Sequence, residues 1–179
     1  MRAPSEALGC MRCQLWCSRD NVVWGEGPVY APIMLVGDAP AHRENIASRP
    51  FVGGTGASLT RMLGKAGIQR EETYLALRVM CQPPGREPLP LEREACQHWF
   101  SMQLEAVQPQ LVVLLGRAAA DYAFPGEPLH EVRQTVRAMQ HGEQVNIFIA
   151  TYHPSALYRN PDLEPIIVED LIWGKGLVA

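Results

Sequence analysis

Four short apolar runs organise the chain: residues 33–36 (IMLV), 73–79 (TYLALRV), 111–115 (LVVLL) and 145–150 (VNIFIA). Each is too short for a helix, rich in strand formers and bounded by breakers or polar turns, so each predicts a β-strand. LVVLL is apolar without interruption between Pro109 and Gly116, as expected of a strand buried on both faces. Between these runs the apolar spacing lengthens to that of helices. One is predicted over 57–66, with Leu59, Met62 and Leu63 inward and Gly67 as its C-cap. A second covers 91–107, with Trp99, Phe100 and Leu104 inward and Pro109 ending it. A short helix follows over 117–122, and a closing one over 162–173. Residues 124–144 are polar and Gly/Pro-punctuated, with a small hairpin around Thr135 as a candidate. Residues 1–31 are irregular.

Strands alternating with helices predict an α/β fold, a three-layer α/β/α sandwich around a central, mostly parallel four-stranded sheet. Right-handed crossovers would bring all the strand carboxyl ends to one edge, where open sheets form their ligand crevice. Gly37-Asp38, Val79-Met80, Leu115-Gly116 and Thr151 to His153 would meet there. The segment 33–56, IMLVGDAPAHRENIASRPFVGGTG, is pivotal. It reads as a strand, then a long loop with Asp38, His42, Arg43, Glu44 and Arg49, then a Gly-rich turn into a helix. Loops this long are more often functional than connective; the alternative is a solvated loop with ordinary charges.

Composition adds limits. At 179 residues, 47% hydrophobic and 20% charged, the chain is expected to form one domain with a full core. A net charge of −3 argues against a sequence-independent nucleic-acid coat but leaves room for a local basic face. No run reaches membrane-span length and no leader pattern opens the chain, so a cytoplasmic monomer with no membrane partner is expected.

Five cysteines without an export signal favour metal or cluster ligation over disulfides. Cys10 and Cys13 form a CxxC turn; Cys81 ends the second strand; Cys96 follows the proline-stiffened loop QPPGREPLP. Four thiolates suit either tetrahedral zinc or a [4Fe–4S] cluster, and spacing does not separate the two. Buried apolar thiols are the plainer alternative. His153, placed between a buried strand and Pro154, is either a satisfied structural histidine or a donor to a developing anion. Ser155 and Arg159 beside it suit phosphate contacts. Asp38 and Glu44 could orient a water or offset a cationic transition state. Phe51 is a stacking platform or core.

Taken in order, these motifs resemble the uracil-DNA glycosylase superfamily, and most closely its iron–sulfur branch, family 4. CMRCQLWCSR at 10–19 is similar to the CxxCxLxxxR start, GDAPAHREN at 37–45 to the first active-site motif, and RPFVG at 49–53 to its aromatic continuation. CQPPGREP at 81–88, with Cys96 and Trp99, resembles the second cluster half, and HPSALYRNP at 153–161 the second active-site motif. The resemblance implies a [4Fe–4S] cluster on Cys10, Cys13, Cys81 and Cys96, and a DNA substrate from which a flipped-out uracil is cleaved. It implies that His153 bonds the uracil carbonyl and Phe51 stacks on the ring. Gly37 and Ala39 would border the base, Asp38 and Glu44 supply the carboxylates, and Ser155 to Arg159 press on the duplex.

The chain also departs from the pattern. The family's asparagine four residues before the third cysteine, which reads the uracil edge, is Leu77 here. A leucine leaves that edge unpartnered, at a cost of about 1–3 kcal/mol. Asp38 stands for a glutamate, Ala41 and Ser48 for glycines, and Asn45 for an aspartate. The expected activity is therefore removal of uracil or a related deaminated base. The alternative is an iron–sulfur DNA-binding protein of the same fold with impaired catalysis or altered specificity.

Overall fold

The four apolar runs form the parallel part of one sheet in a computed structural model that describes residues 1–178. Strands β1 (Ile33–Gly37), β2 (Thr73–Leu77), β3 (Leu111–Leu115), β4 (Arg137–His141) and β5 (Gln144–Thr151) lie in the order β2-β1-β3-β5-β4. Every neighbouring pair is parallel except β4–β5. The sheet thus has five strands rather than the expected four. The extra one, β4, lies in the segment read as polar, and its hairpin turns at Gly142-Glu143 rather than around Thr135. Gly142, at φ +60, takes the first central position of that two-residue turn. As an edge strand largely open to solvent, β4 has no need of an apolar face.

Helices α1 (Ser5–Leu8), α2 (His42–Ala47), α3 (Gly53–Lys65), α4 (Pro90–Val107), α5 (Arg117–Ala120), α6 (Leu129–Val132) and α7 (Leu163–Gly176) complete the fold. Alternation along the strands separates two cores. Leu35, Leu75, Val113 and Ile149 face Leu59 and Leu63 of α3 and Ile167 and Leu171 of α7. Met34, Val36, Val112 and Phe148 belong to the opposite core, with Phe100 and Leu104 of α4. Because β1, β2 and β3 are buried at every position, their sequences read as continuous apolar runs. Among the described residues no helix is long and apolar enough to cross a membrane.

Two local features differ from expectation and shape the crevice. The long loop after β1 contains helix α2, and α3 begins at Gly53, four residues earlier than its apolar pattern indicates. The glycines are poor helix formers, yet a Cβ at Gly56 would collide with the Phe51 carbonyl. At the other side of the crevice, Asp170 of α7, 1% exposed, accepts from Thr151 Oγ1 at 2.5 Å and from Arg133 Nε and Nη2 at 2.8 and 2.9 Å. That fully engaged carboxylate anchors the end of β5 two residues before His153.

Candidate functional site

The carboxyl ends of β1, β2, β3 and β5 meet at one edge, and Gly37, Leu77 and His153 come together there with Phe51. A Cβ at Gly37 would approach Leu77 Cδ2 to 2.9 Å and Phe51 Cζ to 3.0 Å, so only glycine leaves the space. The Phe51 and His153 rings lie 6.2 Å apart, tilted by 32°. Gly116, at φ +88, admits His153 on its other flank; a Cβ there would stand 2.9 Å from that of His153. A pocket of about 470 Å³ opens over this group, lined also by Ala39, Thr55 and Tyr158. At 2% exposure, Phe51 and Leu77 form its wall and floor.

The loop after β1 is stapled from within. Glu44 Oε2 accepts from Ala41 N at 2.7 Å, and Oε1 accepts from Phe51 N at 2.6 Å. One buried carboxylate thereby caps α2 and fixes Phe51, whose φ is +50. Burial raises the Glu44 pKa, and the two backbone donors oppose the shift. Arg70 Nη2 donates to the Phe51 carbonyl at 2.9 Å from the other side. Asn45 accepts from the backbone of Asp20 and Asn21 at 3.1 Å each and donates to the Asp20 carboxylate, a double role that an aspartate could not fill. Both Glu44 oxygens are thus held by the loop's own backbone.

Asp38 sits apart from the pocket, on a second, adjoining groove of about 860 Å³. Its carboxylate takes a two-pronged contact from Arg93 of α4, Nε at 2.9 Å and Nη2 at 2.7 Å. Arg86, Arg117 and Arg159 line the same groove, and Ala39, His42, His153 and Ser155 are shared by groove and pocket. Among the described residues Arg159 has no acidic partner within ion-pair distance. Arg86 and Arg117 are paired with Glu92 and Glu87, so Arg159 is the groove's uncommitted arginine among the described residues. Arg93 and Arg117 belong to no motif of the sequence; the spacing of Arg93 three residues before Cys96 was the one available signal.

His153 is the electronically defined member. Its Nδ1 accepts from Ser155 N at 3.2 Å and stands 2.7 Å from Ser155 Oγ. A backbone N–H only donates, so the ring proton resides on Nε2, which has no hydrogen-bond partner among the described residues and is available to the clefts that His153 lines. Burial lowers the His153 pKa to about 4, with Asp38 opposing the shift. The ring is therefore a neutral hydrogen-bond donor at physiological pH.

A second centre lies behind β2. Cys10, Cys13, Cys81 and Cys96 line one small void with Arg19, Val79 and Trp99, while Cys17 is exposed. Two N–H groups reach these sulfurs: Arg19 Nη1 to Cys81 at 3.2 Å and Trp99 Nε1 to Cys10 at 3.3 Å. Burial pushes the Cys96 thiol up to about 12, and its neighbouring thiols add to the shift. Four such groups facing one void are suited to a cationic centre that would take them as thiolates. Among the described residues no group of three or more His, Cys, Asp or Glu is arranged around a single ion. Four thiols around one void could hold either an iron–sulfur cluster or zinc, since both accept four thiolates.

The family model for the uracil DNA glycosylase superfamily matches residues 24–172. The chain belongs to that superfamily. It is 37% identical to a type-4 uracil-DNA glycosylase of Thermotoga maritima, over 94% of this chain and 89% of the relative. A type-4 enzyme of Sulfurisphaera tokodaii is also 37% identical, over 92% of this chain and 78% of the relative. A type-5 uracil-DNA glycosylase of Pyrobaculum aerophilum is 33% identical, over 86% and 81%. The α/β architecture with a mostly parallel central sheet agrees with the membership.

Proposed function

We propose that this chain is a DNA glycosylase that hydrolyses the N-glycosidic bond of uracil, or a related deaminated base, flipped out of DNA. The observation that carries the reading is the neutral His153, with Nδ1 committed to Ser155 and the Nε2–H free over the pocket. When the C1′–N1 bond breaks, negative charge collects on the departing base and positive charge on the sugar. A preorganised N–H aimed at a ring carbonyl stabilises the first without reorganising at the moment of reaction. A neutral donor suits this role, since it gives a hydrogen bond without surrendering its proton. Phe51 would hold the flipped ring by its flank, and Gly37 and Ala39 leave room beside it.

Asp38, on the groove side, would face the sugar. Its oxygens keep lone pairs outside the Arg93 contact, which can orient the attacking water and offset the sugar's charge. Water adds to C1′, its proton passes to solvent, and the base leaves as its anion. Glu44 enters as the residue that positions Phe51. Arg159, with Ser155, would take phosphates along the groove, a sequence-independent contribution to binding. Cys10, Cys13, Cys81 and Cys96 would hold a [4Fe–4S] cluster that cross-links the N-terminal segment to the end of β2 and to α4. The reduced thiols are in keeping with a cytoplasmic setting.

The type-4 names of the relatives support the glycosylase reading over the alternative of a binding protein without catalysis. The test is purified protein on oligonucleotides bearing uracil, hypoxanthine, xanthine or ethenocytosine, with His153→Ala as control. Abasic product from uracil that is lost in the control is expected; no abasic product from any base would overturn the proposal.

A further inference from the structure

Building on the glycosylase reading, we propose that Arg93 is a positioning residue for base excision, holding Asp38 to the helix that carries Cys96. Asp38 is bound at two points, and both lead to the thiol centre. Its carbonyl oxygen accepts from Val79 N at 2.8 Å, and Val79 lines the thiol void two residues before Cys81. Its carboxylate is gripped by Arg93, which precedes Cys96 by three residues and so shares its face of α4.

The pair is mostly out of solvent, with side-chain exposures of 16% for Arg93 and 15% for Asp38. A guanidinium fork meeting a carboxylate through two N–H bonds sets the plane of the acid as well as its distance. A lysine in its place would keep the charge and lose the plane. Arg78 stands behind the pair: its guanidinium lies 5.0 Å over the Tyr122 ring, and its buried Nε has no partner among the described residues. Asp38 is the main charge offsetting the burial of Arg78. The acid at the reaction edge is therefore placed by the Arg93 side chain and the Val79 backbone N–H, both from the thiol side of the molecule, with no hydrogen bond to its own loop among the described residues.

The experiment is steady-state and single-turnover uracil excision by wild type, R93M, R93K, D38N and the double variant D38N/R93M, with iron and acid-labile sulfide measured for each. R93M is expected to lower kcat about 10–100-fold with little change in KM, as a displaced reacting group does. R93K should recover part of the loss, and D38N/R93M should be no slower than D38N alone, because the two residues act as one unit. Iron and sulfide content should match wild type. If R93M is poorly folded, R93K alone is expected to lower kcat by about 3–10-fold on the same grounds. Wild-type kcat in R93M or R93K, or losses that multiply in the double variant, would overturn the proposal. The wild-type arm separates this from failure of the glycosylase reading: no base released by wild type overturns both.

Discussion

The two loops that close over the pocket are built in opposite ways. The one after β1 holds both of its acids firmly: two backbone N–H groups take up Glu44, and the Arg93 fork fixes Asp38 while leaving it lone pairs to spare. The one after β5 fixes only the rear of its histidine, through Ser155, and leaves the front N–H free. Its support comes from beneath, where Asp170 holds Thr151. The contrast shows where chemistry and shape are divided. The first loop makes a rigid wall with Asp38 clamped at its groove side, and the second presents a single unspent donor to whatever enters.

If that division is right, the largest loss should follow from the smallest structural change in the second loop. His153→Ala is expected to slow single-turnover uracil release about 10²–10³-fold, the range for removal of one preorganised donor. Its unfolding midpoint in urea should stay close to that of wild type. A loss of stability in proportion to the loss of rate would erase the distinction between the loops.

A smaller effect of opposite sign is expected at the floor between them. Leu77→Asn places an amide against the far edge of a bound base and should raise uracil excision several-fold, within the ~5–150-fold that one buried hydrogen bond of about 1–3 kcal/mol allows. The ratio of uracil to ethenocytosine release should rise with it. An unchanged or lower uracil rate would show that the floor does not read the base.

In the first loop, Glu44 should respond in stability before chemistry. Glu44→Gln substitutes an amide nitrogen for one of two acceptors, so one backbone N–H loses its partner. A cost of about 1–3 kcal/mol is expected in urea unfolding. With Phe51 loosened, KM should increase more than kcat falls. If kcat instead collapsed with stability intact, Glu44 would belong with His153 rather than with the wall.

The legibility of these parts in the sequence follows their burial. β1, β2 and β3 were readable because strands buried at every position are largely apolar; β4 was not, since Arg137, Ala138 and Gln140 lie exposed at the sheet edge. Helix α2 was hidden because it depends on a carboxylate whose second partner, Phe51 N, is seven residues away and outside the helix. Gly37 and His153 could be placed together from strand-end logic, while Phe51 and Leu77 joined them only through the resemblance of their motifs to the family's. The groove could not, because Arg86, Arg93 and Arg117 stand on helix and loop positions where a charge ordinarily means solvent. Only the packing of α4 against the end of β1 distinguishes Arg93 from its neighbours.

The central claim, a neutral His153 acting as donor, is tested most directly by the pH dependence of kcat/KM for uracil release, which reports groups of the free enzyme. An ordinary histidine titrates near 6.5, whereas burial lowers His153 to about 4. Between these values the folded protein binds fewer protons at this site than the unfolded chain, so its stability is full above the higher value and declines as pH falls through the window. The account predicts that kcat/KM holds level from about pH 8 to about pH 5 and falls only as pH approaches about 4. An acid limb centred near the ordinary histidine value, absent in His153→Gln, would contradict it.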